Sequence, residues 1–370
     1  MQNKTEKIGV AVFGCGYWGV NYVRVFNELP EAEVVAICDV DALRLQEVGA
    51  RFPGVRLTSK IDDVLQMDGI DAAVICTQAS THHHLASRCL AAGKSLLIEK
   101  PLTTTPAEAE ELMALARANG VTLMVGHTFL FNAGVNKVKT YIEQNQVGQV
   151  YYLYAQRTNL GPIRRDVNAL WDLAPHDISI FNYLLDSVPE WVSAVGVKAL
   201  GNCREDVGFV SLGYRNGIVG HIHVSWADPN KVREVVVVGS NKRIVFNDLN
   251  TLERVRVYEK GVASAEAEAT SYGEYHFLMR DGDIISPKVE VSEPLKNQCK
   301  HFLECVVQHR PPLTDAQAGL DVVRVMAAID RSLENHGAPV AVEDSRPFIP
   351  IPRNGLSAAY RRNGAAVNVI

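Results

Sequence analysis

A chain of 370 residues is too long for one ordinary core and long enough for two domains, each able to bury a sizeable apolar interior. Charged residues make up 21% and the formal net charge is -5, so no basic field exists to attract phosphate backbones or anionic lipid headgroups, which excludes nucleic acid and membrane surfaces as partners. The N-terminus runs straight into an apolar strand, and no apolar run approaches membrane-spanning length, so a soluble cytoplasmic chain is expected. Seven scattered cysteines without a Cys-x-x-Cys pair read as reduced, buried, small hydrophobes.

Taken in chain order, the first third alternates strands and helices. Ile8 to Phe13, Val34 to Cys38, Ala72 to Cys76, Ser95 to Ile98 and Thr122 to Val125 are continuous apolar runs of strand length, as in a parallel sheet covered on both faces. The clearest intervening helix runs from Thr105 to Asn119, opened by Pro106 and stopped by Asn119-Gly120. Helices over Asn132 to Gln144 and about Pro175 to Leu185 precede a series of strands with period-two character: Trp191 to Val197, Val207 to Tyr214, Ile218 to Trp226, Arg233 to Val238 and Lys242 to Phe246. Turns at Arg215-Asn216-Gly217 and Gly239-Ser240-Asn241 join neighbours as hairpins. Two closing helices, Pro294 to Gln308 and Thr314 to Asn335, complete the pattern. The reading is therefore a doubly wound α/β domain over residues 1–126, an α+β domain with a large, mostly antiparallel open sheet over 127–345, and a surface tail over 346–370.

Gly14-Cys15-Gly16-Tyr17-Trp18-Gly19 follows the first strand and opens a helix, the context in which bare backbone amides approach a pyrophosphate at the helix's positive end. The next strand ends in Asp39, about 20 residues on, where a carboxylate accepts hydrogen bonds from the adenine ribose diol. That acid repels a 2′-phosphate and favours NAD(H). Arg44, close in sequence, keeps NADP(H) open.

Thr77-Gln78-Ala79-Ser80-Thr81-His82 follows the third of these strands, and Glu99-Lys100-Pro101 follows the fourth. With the Gly-Tyr-Trp-Gly loop, the segment Trp171-Asp172-Leu173-Ala174-Pro175-His176-Asp177 and the closing pattern from Pro294-Leu295 through Phe302 to Ser332, they make a chain that resembles the glucose-fructose oxidoreductase / inositol dehydrogenase / MocA family over nearly its whole length. The resemblance implies an N-terminal Rossmann domain, hydride transfer to or from a sugar carbon, and a homodimer or homotetramer formed through the second-domain sheet. It also implies that Lys100 sits at the nicotinamide with Pro101 on a cis bond, that Thr77, His82 and Glu99 border the cofactor, and that Asp172 and His176 are the paired acid and histidine. Related chains act in nucleotide-sugar pathways, so a nucleotide-linked sugar altered at C3 or a neighbouring carbon leads, with free sugar or inositol second. A cofactor-binding sensor without catalysis, or reduction of a dihydrodiol or bilin-like acceptor, would fit the same fold.

The residue types suit that chemistry. A carbinol losing hydride needs a partner for its hydroxyl proton, and imidazole serves in both directions near neutral pH. With Pro175 in a first helical turn, His176 lies near a helix N-terminus that favours the neutral ring, and Asp172 stands just before it, orienting the ring or binding a sugar hydroxyl. Lys100, at the carboxyl end of a parallel strand, would stabilise developing alkoxide charge. A surface lysine, a capping acid and a satisfied structural histidine are the alternatives for these three, and Asp177 reads as a helix-start charge. The loop from Arg157 to Asp166 offers Arg157, Arg164 and Arg165 to a diphosphate, while Asn168 and Trp171 would face a sugar; ordinary surface arginines are the competing reading. His127 lines the cleft or serves the core. His82-His83-His84 points in different directions on a helix, and His221 and His223 lack a third ligand, so no metal site is expected.

Overall fold

The computed structural model describes residues 7–343 apart from 165, 202 and 265–276. The predicted tail 346–370 and Arg165 lie outside the described residues. A first sheet is built from β1 (Ile8–Phe13), β2 (Ala32–Cys38), β3 (Arg56–Thr58), β4 (Ala72–Ile75), β5 (Ser95–Glu99) and β6 (Leu123–Gly126), joined through α1 (Tyr17–Glu28), α2 (Ala42–Arg51), α3 (Ile61–Leu65), α4 (Ala79–Ala91) and α5 (Pro106–Ala118). All its pairings are parallel and the strand order is β3-β2-β1-β4-β5-β6, the doubly wound Rossmann arrangement. β1, β4, β5 and β6 are buried along their full length, because helices cover both faces. At α5, Thr105 accepts from the Glu108 amide at 3.3 Å and the Glu108 carboxylate accepts from the Thr105 amide at 3.2 Å, a reciprocal cap with Pro106 inside it.

The remaining elements are α6 (Ala133–Glu143), β7 (Val150–Leu160), α7 (Ala169–Leu185), β8 (Trp191–Val197), β9 (Val207–Gly213), β10 (Val219–Ser225), β11 (Ala227–Gly239), β12 (Arg243–Asn247), β13 (Val255–Tyr258), β14 (Gly261–Ser264), β15 (Phe277–Arg280), β16 (Ile284–Ile285), α8 (Pro294–Gln308), α9 (Ala316–Glu334) and β17 (Val340–Ala341). They form a nine-stranded sheet ordered β16-β13-β12-β11-β7-β10-β9-β8-β17, antiparallel except where β7 meets β10, with β14 and β15 as a separate hairpin. One face of this sheet is buried, with rows such as Ala194-Val210-Ile222-Ala155 under α7 and α9. The opposite face carries Val195-Phe209-His223-Gln156 in the neighbouring row, where Val195 is 50% and Phe209 37% exposed.

Both closing helices return to the first sheet. Leu320 and Val323 of α9 belong to the same apolar cluster as Ile75, Ile98 and Leu112, and Gly319 packs so close to Leu102 and Val125 that a Cβ there would lie 2.6 Å from the Val125 side chain. From α8, Gln298 Nε2 donates to Tyr22 Oη at 2.7 Å, and Tyr22 donates onward to Glu99 Oε1 at 2.7 Å. All seven cysteines are unpaired, six of them buried or half-buried; Cys203 is exposed, contrary to the expectation for the set. No helix of the described residues is long and apolar enough to cross a membrane.

Candidate active site

The glycine loop between β1 and α1 shows why two of its positions exclude side chains within the protein itself. Gly14 has φ +92°, which favours glycine, and a Cβ on Gly19 would lie 1.8 Å from the Gly14 carbonyl oxygen, so Gly19 lets α1 close onto the loop. Gly16 differs: a Cβ there would meet only Arg44 Nη1, at 3.9 Å, so the bareness of this residue serves space outside the protein. Asp39 accepts from the Cys15 amide with one oxygen and from the Asp41 amide at 2.9 Å with the other, which fixes its carboxylate beneath the loop. Around them opens a 540 Å³ cavity lined by Gly14, Gly16, Asp39, Val40, Arg44, Thr77 and Thr81 among others. An open cradle at Gly16, an adjacent carboxylate and a helix N-terminus fit the adenosine diphosphate half of a dinucleotide. We expect Gly16→Val to weaken NADH binding by an order of magnitude or more without lowering stability. Fluorescence titration alongside urea unfolding checks it, and undiminished affinity contradicts it.

A second cavity of 470 Å³ continues past Tyr17 and Trp18 and is lined by Glu99, Thr128, Phe129, Asn159, Leu173, His176, Arg233 and Asp248. Tyr17 and Trp18, 80% and 41% exposed, pack edge-to-face at its rim with ring centroids 5.4 Å apart. At its floor β5 ends in Glu99, a buried carboxyl pushed upward by desolvation against the opposing pull of Tyr22 and Lys100. The Lys100–Pro101 peptide is cis, as expected. His82 is buried, with Nδ1 2.9 Å from the Pro101 carbonyl and Nε2 3.2 Å from the Thr77 carbonyl. It therefore clamps the loop after β4 to the turn after β5.

Lys100 reaches out of the first sheet to α7. Its Nζ donates to the Asp172 main-chain oxygen at 2.7 Å and lies 3.3 Å from Asp172 Oδ1. Arg164 Nη1 approaches the same Oδ1 at 3.2 Å, and Trp226 Nε1 donates to Oδ2 at 3.3 Å. Burial alone would raise the Asp172 carboxyl; Lys100, Arg164 and Trp226 outweigh it and hold the pKa below the ordinary value. His176 follows one turn later on the same face of α7. Its ring lines the cavity and meets the edge of Phe129 at 5.1 Å, while Nδ1 is buried without a hydrogen-bond partner among the described residues. Burial, then Lys100 and Arg157, depress its pKa well below that of free imidazole, so the ring is neutral.

Several sequence expectations need correction here. α7 begins at Ala169 with Asn168 as its cap, accepting from the Trp171 amide at 2.9 Å, so Asp172 is a first-turn residue and Pro175 and His176 lie inside the helix. The neutrality of His176 thus comes from burial and neighbouring cations, not from a helix terminus. Pro175 has no N–H for the Trp171 carbonyl, and the Asp172 carbonyl next along the helix accepts from Lys100. Asp172 does not orient the imidazole, since its oxygens are engaged by Lys100, Arg164 and Trp226. Asn168 does not face a sugar: its amide group caps α7 and donates to Glu205 at 3.0 Å. Trp171 is turned away as well, buried, with Nε1 2.9 and 3.0 Å from the Asp330 carboxylate. Asp177 is not a helix-start charge but the buried partner of Arg157, in paired hydrogen bonds of 2.8 and 2.9 Å that commit the Nε and Nη2 edge of the guanidinium to a carboxylate. Arg164 is bound to Asp166 at 2.6 Å besides Asp172. His127 lines a separate 290 Å³ cavity behind α7 rather than the His176 cleft. Of the His82-His83-His84 run, His83 pairs with Glu111 of α5 at 3.0 Å. The sequence reading missed Asn132, Asp248 and Arg233, which meet at the far wall: Asn132 Nδ2 donates to Asp248 Oδ1 at 3.0 Å and Arg233 Nη1 approaches Oδ2 at 3.5 Å. Their only sequence signal was Arg233 as the charged first residue of a predicted strand.

Residues 8–127 match a family model described as oxidoreductase family, NAD-binding Rossmann fold, and residues 135–245 match the GFO/IDH/MocA C-terminal domain. The chain belongs to the Gfo/Idh/MocA oxidoreductases. As a member of that family it is an NAD-binding oxidoreductase, in keeping with the cradle at Gly16 and Asp39. It is similar to UDP-N-acetylglucosamine 3-dehydrogenase of Acidithiobacillus ferrooxidans, 26% identical with 86% of this chain and 93% of the relative covered. Myo-inositol 2-dehydrogenase of Thermotoga maritima is 24% identical, with 88% and 96% covered. Among solved structures, GenD2 from gentamicin A biosynthesis in complex with NAD is 25% identical, superposes with a TM-score of 0.76, and covers 92% of this chain and 97% of its own.

Proposed function

We propose that this protein is a sugar dehydrogenase that moves a hydride between NAD(H) and a ring carbinol, on a nucleotide-linked sugar at C3 or a neighbouring carbon. The observation that carries the reading is the contact of Lys100, from the end of β5, with α7 one turn before His176. When bound, the nicotinamide supplies the hydride acceptor. The chain's residues do the rest. His176, neutral in its pocket, takes the hydroxyl proton; Lys100 offers its remaining N–H to the oxygen as charge develops; Asp172 and Trp226 fix where that ammonium stands. Arg164, in contact with Asp172, tunes the same carboxylate.

The similarity to a nucleotide-sugar dehydrogenase supports the lead substrate class. A free sugar or inositol is the second reading, favoured by the carboxylate pairing of Arg157 and Arg164, which leaves neither as an uncommitted phosphate ligand. UDP-N-acetylglucosamine, myo-inositol, simple aldoses and dihydrodiols, each offered with NAD and with NADP, separate these. Turnover of UDP-N-acetylglucosamine with NAD is expected; turnover of inositol or free sugars alone overturns the nucleotide, and turnover of dihydrodiols alone overturns the sugar.

Because His176 must be deprotonated to accept a proton and its pKa is depressed, oxidation should stay fast as pH falls past 6.5 and fail only well below it. The groups that set this are Lys100, Arg157, His127 and Arg233. An acidic limb of kcat/KM at or above pH 6.5 contradicts the assignment. The open sheet face, with Trp191, Val195, Phe209, Val219 and Tyr152 at least one-third exposed, supports a homo-oligomer. Light scattering should find a dimer or tetramer, and a Val195→Glu/Phe209→Glu chain should run as a monomer.

A further inference from the structure

A buried base that accepts a proton in every oxidative turnover must also lose it, and the cleft is blocked by substrate at that moment. The back of α7 offers another way out. His176, Ser179 and Tyr183 lie at i, i+3 and i+7, one stripe of the helix. The first of them lines the cleft; Ser179 and Tyr183, further along the stripe, line the separate 290 Å³ cavity together with Asn182, Asp186 and Asp321. His127 stands at that cavity, 1% exposed, with neither ring nitrogen hydrogen-bonded to any described residue. It immediately precedes the turn whose Phe129 packs on the His176 ring.

Three imidazole nitrogens are thus buried in one region without protein partners: Nδ1 of His176 and both nitrogens of His127. Buried polar atoms of this kind are satisfied by ordered water when not by protein. We propose that His127 relays the proton of the reaction between His176 and solvent, by way of water held between the two rings and in the cavity behind α7. In oxidation the carbinol O–H bond breaks as the hydride leaves carbon for NAD+, and that proton goes to His176 on its cleft side. The His176 ring releases a proton from Nδ1 to water, His127 accepts one at its nearer nitrogen and yields one from the other, and the cavity passes it to bulk solvent past the exposed carboxylate of Asp186. Reduction runs the same steps backwards. A relay ring must be neutral at rest, and burial together with Lys100 lowers the His127 pKa to about 4.

The inference rests on His176 being the proton acceptor, so the test separates the two. A crystal structure of the full chain at a resolution that orders water is expected to show water joining His176 Nδ1 to His127 and His127 to the Ser179 side of the cavity; a dry cavity, or a direct protein hydrogen bond to both His127 nitrogens, overturns the relay whatever the substrate. In kinetics with the sugar that is turned over, His127→Phe should lower kcat on the order of tenfold, less than the 10²-fold or more of a lost general base. It should also raise the solvent deuterium isotope effect, leave NADH affinity intact, and be restored in part by added imidazole. Full kcat with an unchanged isotope effect overturns it. His127→Gln, which keeps size and polarity but cannot pass a proton between two nitrogens, covers the case in which the Phe variant does not fold and should show the same losses. Inactive His176→Asn beside fully active His127 variants rejects the relay alone, whereas active His176→Asn rejects the acceptor itself.

Discussion

Lys100→Met is expected to lower turnover by about 10²- to 10³-fold while leaving NADH affinity nearly unchanged. The ammonium has three N–H bonds, and two are directed at the carbonyl and carboxylate of Asp172, 2.7 and 3.3 Å away. The third has no acceptor among the described residues and is available to the reacting oxygen. At 8% exposure the group works where water screens it poorly, so an alkoxide forming beside it gains more than it would at a surface. Methionine fills the stem's volume without the charge, and Arg164 remains to hold Asp172 ionised, so the loss should fall on kcat and not on folding. Lys100→Arg should not rescue, because a planar guanidinium does not fit a pocket shaped for a compact ammonium. Steady-state rates with the sugar substrate, set against fluorescence titration of NADH, measure both quantities. Normal turnover in the Met variant removes the lysine from the mechanism.

Asp177→Ala should cost about 3–5 kcal/mol of stability, because it strands the Arg157 guanidinium in the interior. The two side chains are 1% and 7% exposed, joined by two hydrogen bonds, and the guanidinium also lies over the Phe129 ring at 4.4 Å. Phe129 in turn meets His176, so a displaced arginine disturbs the base as well. Urea unfolding at pH 7 reads the first effect through a lower midpoint at unchanged slope. A double change, Arg157→Met with Asp177→Leu, should recover most of the loss, since a buried pair is commonly no better than apolar residues of like volume. A midpoint shift for Asp177→Ala no larger than that of a surface substitution contradicts the argument.

Much of this architecture was legible from residues. Strands β1, β4, β5 and β6 announce themselves as short apolar runs because both their faces are buried, and the glycine loop with Asp39 reads directly because each residue type there is imposed by local backbone or ligand geometry. Lys100, Asp172 and His176 came from motif resemblance, and the structure brings Lys100 onto the helix that holds the other two. What failed depended on distant chain. Trp171 turns from the site because Asp330, 159 positions later, offers its indole two acceptors. Arg157 looked free until α7 placed Asp177 against it. Pro175 looked like a helix start, yet Asn168 seven residues earlier supplies the stronger cap, and a proline inside a helix is rare enough to mislead. β3 gave no signal, being three residues long and largely exposed at the sheet edge.

The return of α8 and α9 to the first sheet bears on how this protein can be re-engineered. We take residue 126 as the end of the first domain, but that unit lacks part of its own covering: Leu320 and Val323 complete one flank, and Gln298 completes the Tyr22 and Glu99 network. A chimera that grafts a foreign substrate module after β6 and simply stops would leave that flank wet. The transferable cassette is discontinuous, and any recombination meant to exchange sugar preference must keep the parental closing helices with the parental nucleotide half.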